Sequence, residues 1–187
     1  MNWEALAAIS AFVTMLVIAA SAIAALVQLH HLRQSNQLSG LLSVLDLFQQ
    51  PHMHELFNFV RHELPVRMQD PAFRAGLEHA PIDRREHPEL YLCDLYDQVG
   101  SYMRSGLIDA DVLAQSQWVN VILNWTILEP VIVICRRTLP HTFENFEFLV
   151  AYAMRWREKH PRGNYPASLP RVATPKALDL LFGQEPQ

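Results

Sequence analysis

Asp94 and Asp97 stand three residues apart, a spacing that places both carboxylates on one helix face, with Tyr102 and Arg104 following. Such a pair could position a base or bind a cation. Acidic pairs are also ordinary on solvated helix faces, and a negative charge near a helix N-terminus, as at Asp94, is favoured by the helix dipole. Glu129 is less ordinary: no other charged residue lies between Asp111 and Arg136, and Leu128 and Pro130 flank it. Acids in such surroundings are rarely buried without a partner. The expectation is therefore a buried Glu129 paired with Arg104, Arg136 or Arg137, serving structure before chemistry. Asp94, Asp97 and Glu129 are the candidate catalytic residues.

The nine histidines raise the question of a metal. His54-Glu55 begins a zincin motif, but Asn58 stands where its second histidine is needed, and His62-Glu63 is followed by Val66 at the same place. His52 with Glu55, and His141 with Glu144, could each share a helix face, yet the Glu-x-x-His repeat of di-iron proteins does not occur. No metal and no cofactor is expected. There is no Gly-x-Ser-x-Gly elbow and no phosphate-binding Gly-rich loop. Cys93 and Cys135 sit in apolar helical surroundings and read as core residues. A formal charge of −4, from 15 basic against 19 acidic residues, argues against a nucleic-acid footprint.

The elements that must position these residues begin with the strongest signal in the chain. From Ala5 to Leu29 the sequence is broken only by Ser10, Thr14, Ser21 and Gln28. As a helix this stretch is about 37 Å long, enough for a hydrocarbon layer of ~30 Å. Trp3 suits an interfacial anchor. A cleaved signal peptide needs a basic start and a shorter apolar run, whereas here Glu4 is acidic and the run is long. An uncleaved single span through 5–29 is expected, with His30, His31 and Arg33 on the cytoplasmic side. Its dense alanines permit close helix contact and hence a homodimer.

Residues 33–160 read as helical. Leu38, Leu41, Leu42, Leu45 and Phe48 form an amphipathic stripe that Pro51 ends or kinks; Met53, Leu56, Phe57, Val60 and Leu64 form a second, closed by Pro65. A short helix is expected within 72–79, then a charged loop from Pro81 to Pro88. A longer helix carries Leu92, Leu95, Val99, Tyr102 and Met103 to a Gly106 cap. Asp109 caps the next. Its segment Trp118–Cys135 is apolar enough to suggest a second span, but a Glu at mid-span costs about 2.5–3.5 kcal/mol on insertion. It is expected instead to be the central helix of a bundle. A last helix runs from Thr142, as N-cap, to Lys159, burying Phe143, Phe146, Leu149, Val150, Ala153 and Trp156. Pro161, Pro166, Pro170 and Pro175 then mark an arm, before an apolar cluster of Ala177, Leu178, Leu180, Leu181 and Phe182.

Leu95-Tyr-Asp-Gln-Val-Gly-Ser-Tyr-Met-Arg-Ser-Gly-Leu-Ile-Asp109 followed by Trp125-Thr-Ile-Leu-Glu-Pro-Val-Ile-Val-Ile-Cys-Arg136 resembles a group of bacterial membrane-anchored helical proteins of unknown function. The resemblance runs from roughly Ala25 to Trp156. It implies one N-terminal span and a short cytoplasmic domain, and it brings no assigned activity.

The expected architecture is all-α: an anchor over 1–32, a compact cytoplasmic helical bundle over 33–160 and a Pro-rich arm over 161–187. Two functions compete. One is a non-catalytic interaction or regulatory module at the cytoplasmic face of the inner membrane, holding the bilayer through 5–29 and an unidentified cytoplasmic protein. The other is a small membrane-anchored enzyme using Asp94, Asp97 or Glu129, which requires those acids to surround one pocket. The module is preferred because no catalytic constellation is found.

Overall fold

The computed structural model describes residues 3–171, and within them every regular element is a helix. The first, α1, spans Trp3–Gln49 without a break. The expected boundary near residue 32 thus falls inside a continuous helix of about 70 Å. Its apolar residues from Ile9 to Leu32 face outward, while Leu41 and Val44 enter the core near its C-terminal end. Leu38 and Leu42, expected on the packed face, are exposed. The buried face is instead set by Leu41 and Val44, with the half-buried Phe48 one turn further on packing its ring against Tyr96 at 5.5 Å.

Proline then punctuates the chain. Pro51 begins α2 (Pro51–Asn58), where a missing N–H costs nothing. Pro65, expected to end this segment, does not. The chain widens into a π-turn over Phe59–Glu63, with the Leu64 N–H bonded to the Phe59 carbonyl, and α3 (Leu64–Arg67) continues with Pro65 in its first turn. The wider turn accommodates a residue that would break a regular α-helix. Asp70 caps α4 (Pro71–Gly76), its Oδ1 accepting from the Ala72 N–H at 2.9 Å.

Three longer helices form the packed domain. They are α5 (Glu89–Arg104), α6 (Ala110–Thr138) and α7 (Glu144–Lys159), with α7 lying against both others. Gly106 follows α5 with φ 72°, the left-handed conformation expected of its cap. Asp109 Oδ1 accepts from the Asp111 and Val112 N–H groups, each at 3.0 Å, as its sequence position predicts. At the centre the Tyr96 ring stacks on Phe146 at 4.7 Å, and Trp125 meets the edge of Phe146 at 5.0 Å. Asn124 is fully buried and donates to the Tyr96 hydroxyl at 3.0 Å.

Among the described residues, two helices are long and apolar enough to cross a membrane. None of the most apolar window of α1 is buried, whereas 39% of the corresponding window of α6 is covered by its neighbours. Leu113, Val121, Leu128, Val131, Ile132 and Cys135 of α6 lie in the core.

The α7 start departs from expectation. Phe143, not Thr142, occupies the cap position, in the left-handed region (φ 60°), and no side chain of its own loop caps the helix. The Thr142 hydroxyl turns back to the Leu139 carbonyl at 2.8 Å. The cap comes from α5: Asp97 Oδ1 accepts from the Asn145 N–H at 2.8 Å and the Phe146 N–H at 3.1 Å. Gly100, one turn further along α5, lies so close to α7 that a β-carbon would overlap the Asn145 carbonyl oxygen.

Gly100→Ala should therefore cost about 3 kcal/mol in denaturant unfolding, the upper range for overpacking. Asp97→Ala should cost about 1–2 kcal/mol, the ordinary value of a helix cap. If either variant melts like the parent chain, the contact between α5 and the start of α7 is misplaced.

Candidate functional site

The loop between α4 and α5 delivers the most unusual chemistry in the molecule. Asp83 Oδ1 accepts from the Arg85 N–H at 2.8 Å, and the His87 N–H returns to the Asp83 carbonyl at 3.0 Å. This tight turn swings His87 inward, and Pro88 launches α5 with Glu89 as its first residue. His87 is 2% exposed and Glu89 is fully buried. Their side chains meet at 2.9 Å between Nδ1 and Oε1, while Glu89 Oε2 has no hydrogen-bond partner. Phe73 packs on the imidazole at 4.4 Å. Gly76 leaves room for the ring, since a β-carbon there would come within 2.6 Å of Nε2.

Removal from water pushes the Glu89 carboxyl above its ordinary value, with the His87 hydrogen bond opposing that shift. A cavity of about 460 Å³ opens beside the dyad, lined by Arg67, Asp70, Phe73, Asp83, Glu86 and His87. The pair can hold or exchange a proton next to that cavity. Burial also raises the thiol of Cys135 to about 11 and pushes that of Cys93 well above its ordinary value, so both stay protonated at neutral pH and behave as core residues.

The three sequence-predicted acids stand apart. Asp94 pairs on the surface with Arg84. Asp97 is occupied by the α7 N-terminus, with a third bond from Asn145 Nδ2 at 3.1 Å. Glu129 is exposed, which corrects the expectation of a buried pair. The arginines expected as its partners are engaged elsewhere. Arg136 bonds Glu147 at 2.7 Å and the Thr142 carbonyl at 2.9 Å, Arg137 bonds Glu78 at 2.8 Å, and Arg104 donates to Asn145 Oδ1 at 2.8 Å. The cause is helical phase. Leu128, Val131, Ile132 and Cys135 define the buried face, and Glu129 points out with Thr126, Pro130 and Val133.

One grouping does emerge. Asp94 lines a cleft of about 650 Å³ with His52 and Glu55, among Leu47, Met53 and Leu56. The cleft is largely apolar, with its charged groups at the margin. His141 and Glu144 bond each other at 2.5 Å on the surface. Among the described residues, no three or more His, Cys, Asp or Glu side chains cluster to hold a metal ion.

Sequence reasoning missed the dyad because Glu89 reads as an ordinary first-turn acid and His87 as part of a charged loop. A signal was present. Glu89, Leu92, Cys93 and Tyr96 follow i, i+3, i+4 and i+7, which puts Glu89 on the core face. For Glu129 the same spacing is less complete, since Ile132 and Val133 are apolar but Arg136 stands at i+7. The apolar cluster expected at 177–182 lies outside the described residues.

A family model described as a domain of unknown function (DUF4760) matches residues 15–156. No curated protein and no solved structure matches the chain.

The dyad sets a pH dependence. The folded state binds the Glu89 proton more tightly than the unfolded chain, so Glu89's contribution to stability is full below pH 4.5 and is lost as pH rises through its raised value. Glu89→Gln removes that titration. The melting temperature of Glu89→Gln relative to the parent should therefore climb as pH rises from 4.5 through the raised Glu89 value, and two parallel curves would refute the assignment. Glu129→Gln should change stability by less than about 0.5 kcal/mol, as for other exposed positions.

Proposed function

We propose that this chain, which belongs to the family described as a domain of unknown function (DUF4760), is a non-catalytic module tethered to a bacterial inner membrane by α1. In this reading residues 5–29 span the bilayer once, and the helices that follow lie in the cytoplasm and hold or sense a protein partner there. The observation that carries it is α1 itself. Its apolar residues from Ile9 to Leu32 are exposed on every side, and the same unbroken helix ends in the core through Leu41 and Val44. Exposed apolar surface on that scale is costly in water and favourable in hydrocarbon. A stiff helix shared between bilayer and domain also fixes the domain's distance from the membrane. The flanking His30, His31 and Arg33, against Glu4 on the other side, favour a cytoplasmic C-terminal domain. Close helix contact through the alanine-rich span would make the tether a homodimer.

The module is favoured over a membrane-anchored enzyme by the separation of the acids: Asp94 at a cleft margin, Asp97 committed to a helix cap, Glu129 on an open face. Three acids in three places cannot share one reacting group.

The full chain is expected to stay with membranes through carbonate extraction, and a chain beginning at Gln34, which keeps Leu41 and Val44, to be soluble. If the shorter chain still pellets with lipid, α6 is the span and the tether is wrongly assigned. A reporter joined after Gln187 should be active only in the cytoplasm; activity on the outer side reverses the orientation. Partner capture from solubilised membranes should survive Asp94→Asn and Glu129→Gln. If cellular activity is lost in either variant while capture persists, the enzymatic reading prevails.

A further inference from the structure

A second groove opens at the far end of the packed helices, where the chain leaves them. It has a volume of about 670 Å³ and is walled by Trp118 and Ile122 of α6 and Met154 of α7, with Arg157 and Glu158 on its rim. Trp118 and Ile122 are half-buried and Met154 is 43% exposed, so the groove has an apolar floor open to solvent. Its end wall is the arm itself, through His160, Pro161 and Gly163.

Beyond Gly163 the arm doubles back. The Leu169 N–H bonds the Pro166 carbonyl at 3.1 Å, the Tyr165 hydroxyl donates to the Pro170 carbonyl at 2.6 Å, and the Arg171 guanidinium lies 4.1 Å from the Tyr165 ring. The described chain thus ends beside Tyr165, two residues from a residue of the groove wall. Sixteen residues follow, and Ala177, Leu178, Leu181 and Phe182 recur there at helical spacing around Asp179. Four residues, 172–175, separate Arg171 from Lys176 and can span about 13 Å when extended.

We propose that residues 176–182 of the same chain dock in the Trp118–Ile122–Met154 groove. The segment's Leu178, Leu181 and Phe182 cover the apolar floor, while Lys176 and Asp179 are opposite in charge to Glu158 and Arg157 on the rim. A seven-residue segment has no stable helix alone, so its order must come from the surface it covers. The folded-back arm supplies the affinity. It holds the segment at high effective concentration beside the groove, where few contacts suffice.

The test is disulfide trapping in the full chain in lipid nanodiscs, with Glu158→Cys on the groove rim and Gly183→Cys just past the segment. Cys93 and Cys135 are buried and stay silent. The pair is expected to close within single chains, at a rate independent of protein concentration and about tenfold faster than a Val66→Cys/Gly183→Cys control, the gain being one of effective concentration. Val66 is exposed on α3 and lines none of the groove. Adding Leu178→Asp and Leu181→Asp should remove the advantage. Equal rates for the groove and control pairs overturn the proposal. So does a fast disulfide that forms only between chains, which assigns the groove to a second copy. Retention of the advantage in the double aspartate variant overturns it as well, because apolar docking would then not be its source.

Discussion

The Asp97 carboxylate at the start of α7 is the contact on which the packed helices depend. Helix N-termini leave backbone N–H groups unpaired, and a loop side chain ordinarily meets them. Here the α6–α7 loop turns through a left-handed Phe143 and offers no such side chain, so α5 provides it. A cap given by a neighbouring helix does two things at once. It satisfies the end of α7, and it fixes the height and rotation of α7 against α5. Gly100 permits the close approach that the bond requires, and Arg104 extends the line of contact to Asn145 Oδ1. Arg136 holds the same loop from α6 through the Thr142 carbonyl and Glu147. The aromatic core of Tyr96, Phe146 and Trp125 lies directly behind this junction, so its geometry is set by these polar bonds as much as by area burial.

That arrangement explains why the stretch from Leu95 to Asp109 contains so little catalytic chemistry. Asp97, Gly100, Arg104, Gly106 and Asp109 are, in order, a cap for another helix, a close-approach position, a bond to that helix, a turn and a cap. Each role is architectural. The chemistry with the largest energetic stake lies elsewhere, in the His87–Glu89 pair, where an ionisable couple is withdrawn from water and one carboxylate oxygen is left without a bond. Buried charge held this way is expensive unless protonation relieves it. The dyad also ties the loop before α5 to α4 through Phe73 and Gly76.

The long α1 helix changes character along its length. Its outer portion shows apolar side chains on all sides, a surface that hydrocarbon would cover more favourably than water. Its inner portion narrows to a single buried edge.

Composition and periodicity by themselves determined the all-helical character, the apolar first helix, the Gly106 and Asp109 caps and the core faces of α5 and α7. These are local consequences of hydrophobic period and cap chemistry, each legible within two or three turns of chain. Tertiary structure decided the rest. It decided that α1 continues past residue 32, that a π-turn carries the chain through Pro65, that Glu129 faces out, and that Asp97 serves a helix 48 residues away in sequence from its own position. The last two share one physical reason. Which side of a helix is buried, and which carboxylate meets which N–H, depends on the rotation of one helix against another. That rotation is settled by packing between residues far apart in the chain, to which local pattern carries no direct reference.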